Sequence, residues 1–377
     1  MGSHVVKESS GVMDMRVLFQ VRPDYHSNPA GDTVQMLATG RALTALGVEV
    51  ALSTDPNASL SAYDLVHIFN VTRIQESYLF FLNARKQRKK CVVSPIYWNP
   101  KSFLQRQEAN PRDLAAWRLA QPMRALVIKE CDLLLPNSQS EIAELKRDFR
   151  DIAPCQVVPN GFPDEFVGAD AQAFREQYPG LPQQFVLCVA RLSPRKNQHW
   201  LARVCRELGL TLVLVGPVNN REYGKIVLSF SNVLHLGTLQ GKLLASAYAA
   251  ATVHALPSWF ETPGLSSLEA AACGSVVVST DQGSTREYFL DQAIYVCPED
   301  DQGLRSGLVK ALACSPLPLM QHVRLNYPWS KAAQATLAGY QALLAGKPLR
   351  EQTQGANGLA YDCSSERIPS GTQQKSP

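Results

Sequence analysis

The chain has 377 residues, of which 45% are hydrophobic and 19% charged, with a formal net charge of +4. That length suits two domains, and a charged share this low excludes a chain that stays disordered throughout. The mild positive balance fits a small polyanionic ligand or an anionic surface and is too weak to indicate nucleic acid.

Residues 17–21 form a short apolar run stopped by Arg22-Pro23-Asp24, which predicts a first buried strand. A helix follows over 32–46, with Asp32 placed to cap its start and Gly47 to end it. Strands are expected at 48–52, 65–69 and 91–93, with a helix over 74–89 between the last two. A helix over 112–130, a strand at 133–135, a helix near 141–146 and a strand at 157–158 complete the first series. Pro159-Asn160-Gly161-Phe162-Pro163 is dense in turn formers and marks a domain boundary. A second alternating series then supplies strands at 185–190, 210–215, 233–236, 253–256, 276–279 and 293–296, and a last helix spans 330–344.

Strands alternating with helices imply parallel, doubly wound sheets. The expected fold is therefore α/β, with two Rossmann-like domains facing a central cleft. Their bounds are 15–160 and 161–326, followed by a helix over 327–346 that returns to the first domain and a disordered tail over 347–377. In such sheets ligands bind beyond the carboxyl ends of the strands, so the cleft is the place where two substrates would meet.

Nine cysteines occur without any Cys-x-x-Cys spacing, several inside apolar runs, and read as buried free thiols. No apolar stretch reaches the roughly 18 residues of a membrane helix, and the N-terminus lacks a signal-peptide core. The expected location is cytoplasmic. The basic run over 85–90 reads either as a solvated helix end or as a peripheral contact with the cytoplasmic membrane face.

Two clusters could carry chemistry. Arg191-Leu192-Ser193-Pro194-Arg195-Lys196-Asn197 follows a buried strand and opens a helix. Cations beside a helix N-terminus favour a phosphate, although a solvated basic loop has the same composition. In the second cluster Glu261 lies in the loop after the strand at 253–256, and Glu269 lies two turns into an apolar helix opened by Pro263-Gly264. A part-buried carboxylate needs donors, which sugar hydroxyls or a structural cation would supply. Gly264 lets a phosphate approach the backbone at the helix start. Gly216 and the Gly237-Thr238-Leu239 turn end strands and could form a nucleobase slot. His67, at the end of the third strand, either faces the cleft or is a satisfied core residue. No GxGxxG follows the first strand, no P-loop motif occurs, and no Asp-x-Asp is placed to hold a divalent metal.

Together these residues resemble the retaining glycosyltransferases of family four, which have the GT-B fold. The resemblance runs from about Met15 to Leu344, and its specific element is Glu-x7-Glu, here Glu261 to Glu269, with Arg191 and Lys196 at the family's spacing upstream. Asn160-Gly161 matches the family's hinge turn, and Tyr327-Pro328-Trp329-Ser330 its crossover segment. The resemblance implies that Arg191 and Lys196 hold the diphosphate of a nucleotide-sugar donor and that Glu269 binds its ribose. It places Glu261 near the transferred sugar, has Gly264, Leu265 and Ser266 contact phosphate, and brings Gly31 to the donor from the opposite domain. Gly216, Thr238 and Leu239 complete the implied donor site. No cofactor or metal is implied beyond the donor substrate, which would be a UDP- or GDP-sugar. The acceptor could be a glycan, a lipid-linked glycan or a small molecule. Two departures stand out: Ala30-Gly31 replaces the usual glycine pair, and Ser94-Pro95-Ile96-Tyr97-Trp98-Asn99 lacks the family's His, leaving His67, Tyr97 and Asn99 as acceptor-side candidates. An epimerase of the same fold and an inactive nucleotide-sugar-binding subunit are the rival readings.

Overall fold

The computed structural model describes residues 15–105 and 111–347. Five parallel strands form the first sheet: β1 Arg16–Gln20, β2 Glu49–Ser53, β3 Leu65–Phe69, β4 Lys90–Ser94 and β5 Leu133–Leu134, in the order β2-β1-β3-β4-β5. Six parallel strands form the second: β6 Val186–Val189, β7 Leu212–Val215, β8 Val233–His235, β9 Val253–Leu256, β10 Val276–Thr280 and β11 Ile294–Val296, in the order β11-β10-β9-β6-β7-β8. Strand order reverses between β1 and β3 in one sheet and between β6 and β9 in the other. Crevices open at such reversals, beyond the strands' carboxyl ends.

Alternating side chains put both faces of each sheet in a core. In the first domain Leu18, Val66, Ile68 and Val93 pack with Phe80, Phe81 and Val127 on one face. Val17, Phe19, Leu65 and Val92 pack with Met36, Leu43, Trp329, Ala333 and Tyr340 on the other. Those last three belong to the helix Trp329–Leu344, so the chain's final described helix serves the first domain. Its return is fixed at the crossing, where the Phe162 N–H donates to the Tyr327 carbonyl at 3.0 Å. A Cβ on Gly161 would lie 2.7 Å from the Trp329 backbone nitrogen, which explains why a glycine stands there.

Several local expectations are corrected. The helix expected over 112–130 is two helices, Pro111–Leu119 and Gln121–Glu130, because Pro122 has no N–H to continue a helix and sits instead at a helix start. Residues 157–158 are not a strand. The segment runs beside β5, but Pro154 and Pro159 bracket it and interrupt the ladder. Asp32 is not the N-cap of its helix; Ala30 is, and the Asp32 carboxylate is engaged by Arg22 and Asn70. Glu269 lies one turn, not two, into its helix Leu265–Cys273. In the basic run, Arg85 pairs with Glu130, Lys90 pairs with Asp132 at 2.8 Å, and Lys89 donates to the Tyr63 carbonyl at 2.5 Å. The tail over 348–377 lies outside the described residues. Among the described residues no helix is long and apolar enough to cross a membrane.

Candidate functional site

The loops after β6 and β9 leave neighbouring strands at the reversal point and are tied to each other. The Trp259 N–H donates to the Arg195 carbonyl at 2.9 Å, and Arg195 Nη1 donates to the Phe260 carbonyl at 2.8 Å. This brings Lys196 Nζ to 2.5 Å from Glu261 Oε1, with Arg195 Nη1 at 3.7 Å from the same oxygen. Glu261 is 5% exposed. Burial would raise its carboxyl, but Lys196 and then Arg195 outweigh burial and hold it below its ordinary value. Burial lowers the Lys196 ammonium from its ordinary value, and Glu261 only partly opposes that.

The backbone of Glu261 is pinned from the other side. Its N–H donates to the Gln282 carbonyl at 3.2 Å, and its carbonyl accepts from Ser284 at 3.1 Å. Gly283 between them has φ +98, and a Cβ there would meet the Glu261 carbonyl oxygen at 2.1 Å. Glycine is the residue that fits. Three residues after Glu261, Gly264 in the left-handed region turns the chain into Leu265–Cys273. That helix carries Glu269, whose Oε2 accepts from the Tyr248 phenol at 2.8 Å. Burial pushes the Glu269 carboxyl up to about 7; the phenol opposes this and the Glu165 charge adds to it.

The opposite wall comes from the loop after β1. Arg22 is buried there and bonds Asp32 at 2.9 Å, Asp24 at 2.7 Å and Thr33 at 2.8 Å. Arg191 crosses the gap. Its Nη2 donates to the carbonyls of Asn28, at 2.8 Å, and Pro29, while Nη1 reaches Asn219 at 3.3 Å. Gly31 faces Leu265, since a Cβ on it would stand 3.9 Å from Leu265 Cδ1.

Between these walls lies a cleft of about 570 Å³. Arg191, Lys196, Gly216, Thr238, Leu239, Glu261, Gly264, Leu265, Ser266 and Glu269 all line it from the second domain, and Gly31 lines it from the first. His67, Tyr97 and Asn99 are not brought to it. His67 is 1% exposed, with Nδ1 2.5 Å from the Tyr340 hydroxyl and Nε2 2.9 Å from Ser94 Oγ; burial pushes its pKa down to about 3. Tyr97 is fully buried and donates to Asp148 at 2.7 Å, and Asn99 donates to the same carboxylate at 2.8 Å. Their neighbours Ile96 and Trp98 line the cleft instead. Tyr97 and Asn99 are held inward by hydrogen bonds to Glu141, Glu144 and Asp148, which leaves Ile96 and Trp98 on the cleft side. The sequence offered Asn160 only as a hinge turn and gave no site role to Arg22, Asn70 or Phe260, all of which line the cleft. Arg195, within the basic cluster, carried a visible signal; the others lie in loops whose approach only the fold determines.

The domains also meet beside the cleft. Glu287, from the helix Thr285–Phe289, accepts from the backbone N–H groups of Gln139 at 2.8 Å and Ser140 at 3.0 Å. Those groups open the helix Gln139–Phe149 of the first domain. Tyr288 donates to the Asn137 carbonyl at 2.6 Å and accepts from the Asn160 N–H at 2.8 Å. Among the described residues no cluster of three or more His, Cys, Asp or Glu side chains is arranged to hold a metal ion.

Comparison with known proteins places this geometry in context. Residues 183–314 match the family described as "Glycosyl transferases group 1". A D-inositol 3-phosphate glycosyltransferase of Mycobacteroides abscessus is 28% identical over 253 residues, which cover 61% of this chain and 57% of that protein. The chain thus spans little more than half the length of this curated relative. Sucrose-phosphate synthase from Thermosynechococcus elongatus superposes with a TM-score of 0.75 at 19% identity, covering 89% of this chain and 100% of that one. HepE of Anabaena, in complex with UDP and glucose, superposes at 0.69 and 18% identity, covering 87% of this chain and 100% of that one. These structures share the fold, two Rossmann-like α/β domains in the GT-B arrangement.

Proposed function

We propose that this chain is a retaining glycosyltransferase that moves a sugar from a nucleotide-sugar donor to an acceptor hydroxyl without a metal ion. One observation carries the reading: Lys196, Arg195 and Glu261 converge at the strand reversal of the second sheet, beside the start of the helix that carries Glu269. The family match over 183–314 covers this cluster, and the named relative transfers sugar.

In this reading Lys196 and Arg191 take the donor diphosphate. Cations aimed at a departing diphosphate stabilise the charge that develops on it, the task a divalent ion performs elsewhere. Arg191 exchanges its carbonyl partners at Asn28 and Pro29 for phosphate oxygens, a stronger charge-assisted bond. Backbone groups at Gly264, Leu265 and Ser266 meet phosphate at the helix start. Glu269 accepts from the ribose hydroxyls, and Gly216, Thr238 and Leu239 flank the base. Glu261 lies beside the transferred sugar. The acceptor hydroxyl attacks the anomeric carbon from the face the diphosphate leaves, and the diphosphate takes its proton. That HepE crystallised with UDP and glucose supports a uridine donor as the first to test.

The experiment is titration of the protein with UDP and GDP, followed by turnover of UDP-glucose and GDP-mannose, for the wild type and Lys196→Ala. Binding and turnover that Lys196→Ala leaves unchanged would remove the phosphate-clamp assignment. A new epimer formed from donor alone would replace transfer by epimerisation.

A further inference from the structure

The segment after β4 reaches the cleft through Ile96 and Trp98, and it is firmly tethered. The helix Gln139–Phe149 presents Glu141, Glu144 and Asp148, whose spacing of three and four brings them to one face. Glu141 accepts from the Tyr97 N–H at 2.7 Å, and Glu144 accepts from the Asn99 N–H at 2.9 Å. Asp148 accepts from the Tyr97 hydroxyl and the Asn99 amide. Both neighbours of residue 98 are thereby fixed. Ile96 holds φ +48, a conformation that a β-branched side chain adopts only at a cost.

This scaffolding sets the Trp98 ring into the cleft, half-buried, where it meets the second domain. Trp98 and Phe260 stack with centroids 5.4 Å apart and planes at 22°. The Arg195 guanidinium sits 5.5 Å from the Trp98 centroid while it donates to the Phe260 carbonyl. Phe103, 6.4 Å from Trp98, extends the aromatic surface on the first domain. Phe260 immediately precedes Glu261 in the chain. An aromatic bridge therefore spans the two domains next to the Lys196–Glu261 pair. Aromatic pairs of this kind contribute beyond their buried area, and they shed water.

We infer that Trp98 and Phe260 form a seal that discriminates the acceptor hydroxyl from water. The inference rests on the glycosyl-transfer reading above. In transfer, the acceptor oxygen bonds to the anomeric carbon, the carbon–oxygen bond to the diphosphate breaks, and the acceptor proton goes to the diphosphate. Hydrolysis is the same exchange with a water oxygen and a water proton. A site whose leaving group serves as its own base gives water no chemical disadvantage, so selection depends on access. Excluding water is the established way in which closed sites protect a reactive donor. The bridge lies across the domain gap, so any separation of the domains would part the two rings.

The test uses the full chain with UDP-glucose and GDP-mannose as probes. UDP and GDP binding are measured alongside nucleoside-diphosphate release in the absence of acceptor. Trp98→Ala and Phe260→Ala, which break the stack from opposite domains, should each raise acceptor-free release by about tenfold, with little further rise in the double variant. Trp98→Phe keeps a ring against Phe260 and should return release most of the way to the wild-type rate. Variants that bind nucleotide as the wild type does but release no more diphosphate overturn the seal and leave the transfer reading standing. Absence of nucleotide binding in the wild type overturns both.

Discussion

Lys196 Nζ and Glu261 Oε1 lie 2.5 Å apart, joining the loop after β6 to the loop after β9 across the strand reversal of the second sheet. The contact is at once an internal ion pair and the floor of the cleft. Fold stability and the proposed donor contact therefore fall on the same two side chains, and they can be separated by substitution.

Lys196→Ala leaves the Glu261 carboxylate buried beside Arg195 alone, at 3.7 Å. The expected cost is about 3 kcal/mol of unfolding free energy, measured by denaturant titration. Adding Glu261→Gln removes the stranded charge and should recover a substantial part of that loss. Turnover should fall by roughly a hundredfold in the single variant and not return in the double one.

The carboxyl of Glu269 titrates at about 7, above its ordinary value. Its contribution to stability is therefore full below the unfolded value and is lost as pH rises through about 7. A ribose that donates to the carboxylate favours the ionised form, so nucleotide binding should release protons near neutrality and tighten as pH rises from 6 to 8. Calorimetry of UDP binding in buffers of different ionisation heat reads the proton count directly. Glu269→Gln should abolish the proton release.

Gly283→Ala tests the backbone clamp on Glu261. The added methyl would stand 2.1 Å from the Glu261 carbonyl, at a φ of +98 that alanine resists. A loss of about 2 kcal/mol or more is expected, with turnover impaired in whatever fraction folds. An alanine variant with wild-type melting and turnover would show that the clamp is dispensable.

Glu287→Ala removes the carboxylate that bonds the Gln139 and Ser140 N–H groups from the other domain. Losing a cap of this kind costs about 1 kcal/mol. Because the cap bridges domains, the sharper readout is shape: small-angle scattering of the ligand-free variant should give a larger radius of gyration than the wild type.

Much of the architecture was legible because a parallel sheet buried on both faces writes itself as apolar runs at regular intervals. Strands such as Leu65–Phe69 and Val253–Leu256 have the bounds that their sequence suggested. The Arg191–Lys196 and Glu261–Glu269 clusters were legible because each follows directly on a strand of the reversal, so position along the chain fixes position at the cleft. Of the first-domain wall Gly31 was legible, but the segment after β4 was not. Ile96-Tyr97-Trp98-Asn99 offers polar candidates at 97 and 99, and nothing local says that Glu144 and Asp148, some fifty residues later, claim them and turn Trp98 outward. His67 is similar: its partner Tyr340 lies 273 residues away.

That same helix, Trp329–Leu344, has a consequence for biosynthesis. Val17, Phe19, Leu65 and Val92 are made well before Trp329, Ala333 and Tyr340, which share with Met36 and Leu43 the task of covering them. Domains commonly fold in order of synthesis. Here the first domain cannot finish its core until the second has been made, so part of one sheet face stays uncovered while the intervening residues are translated. A chain stopped short of this helix leaves part of that face as an uncovered apolar surface, prone to stick to other chains.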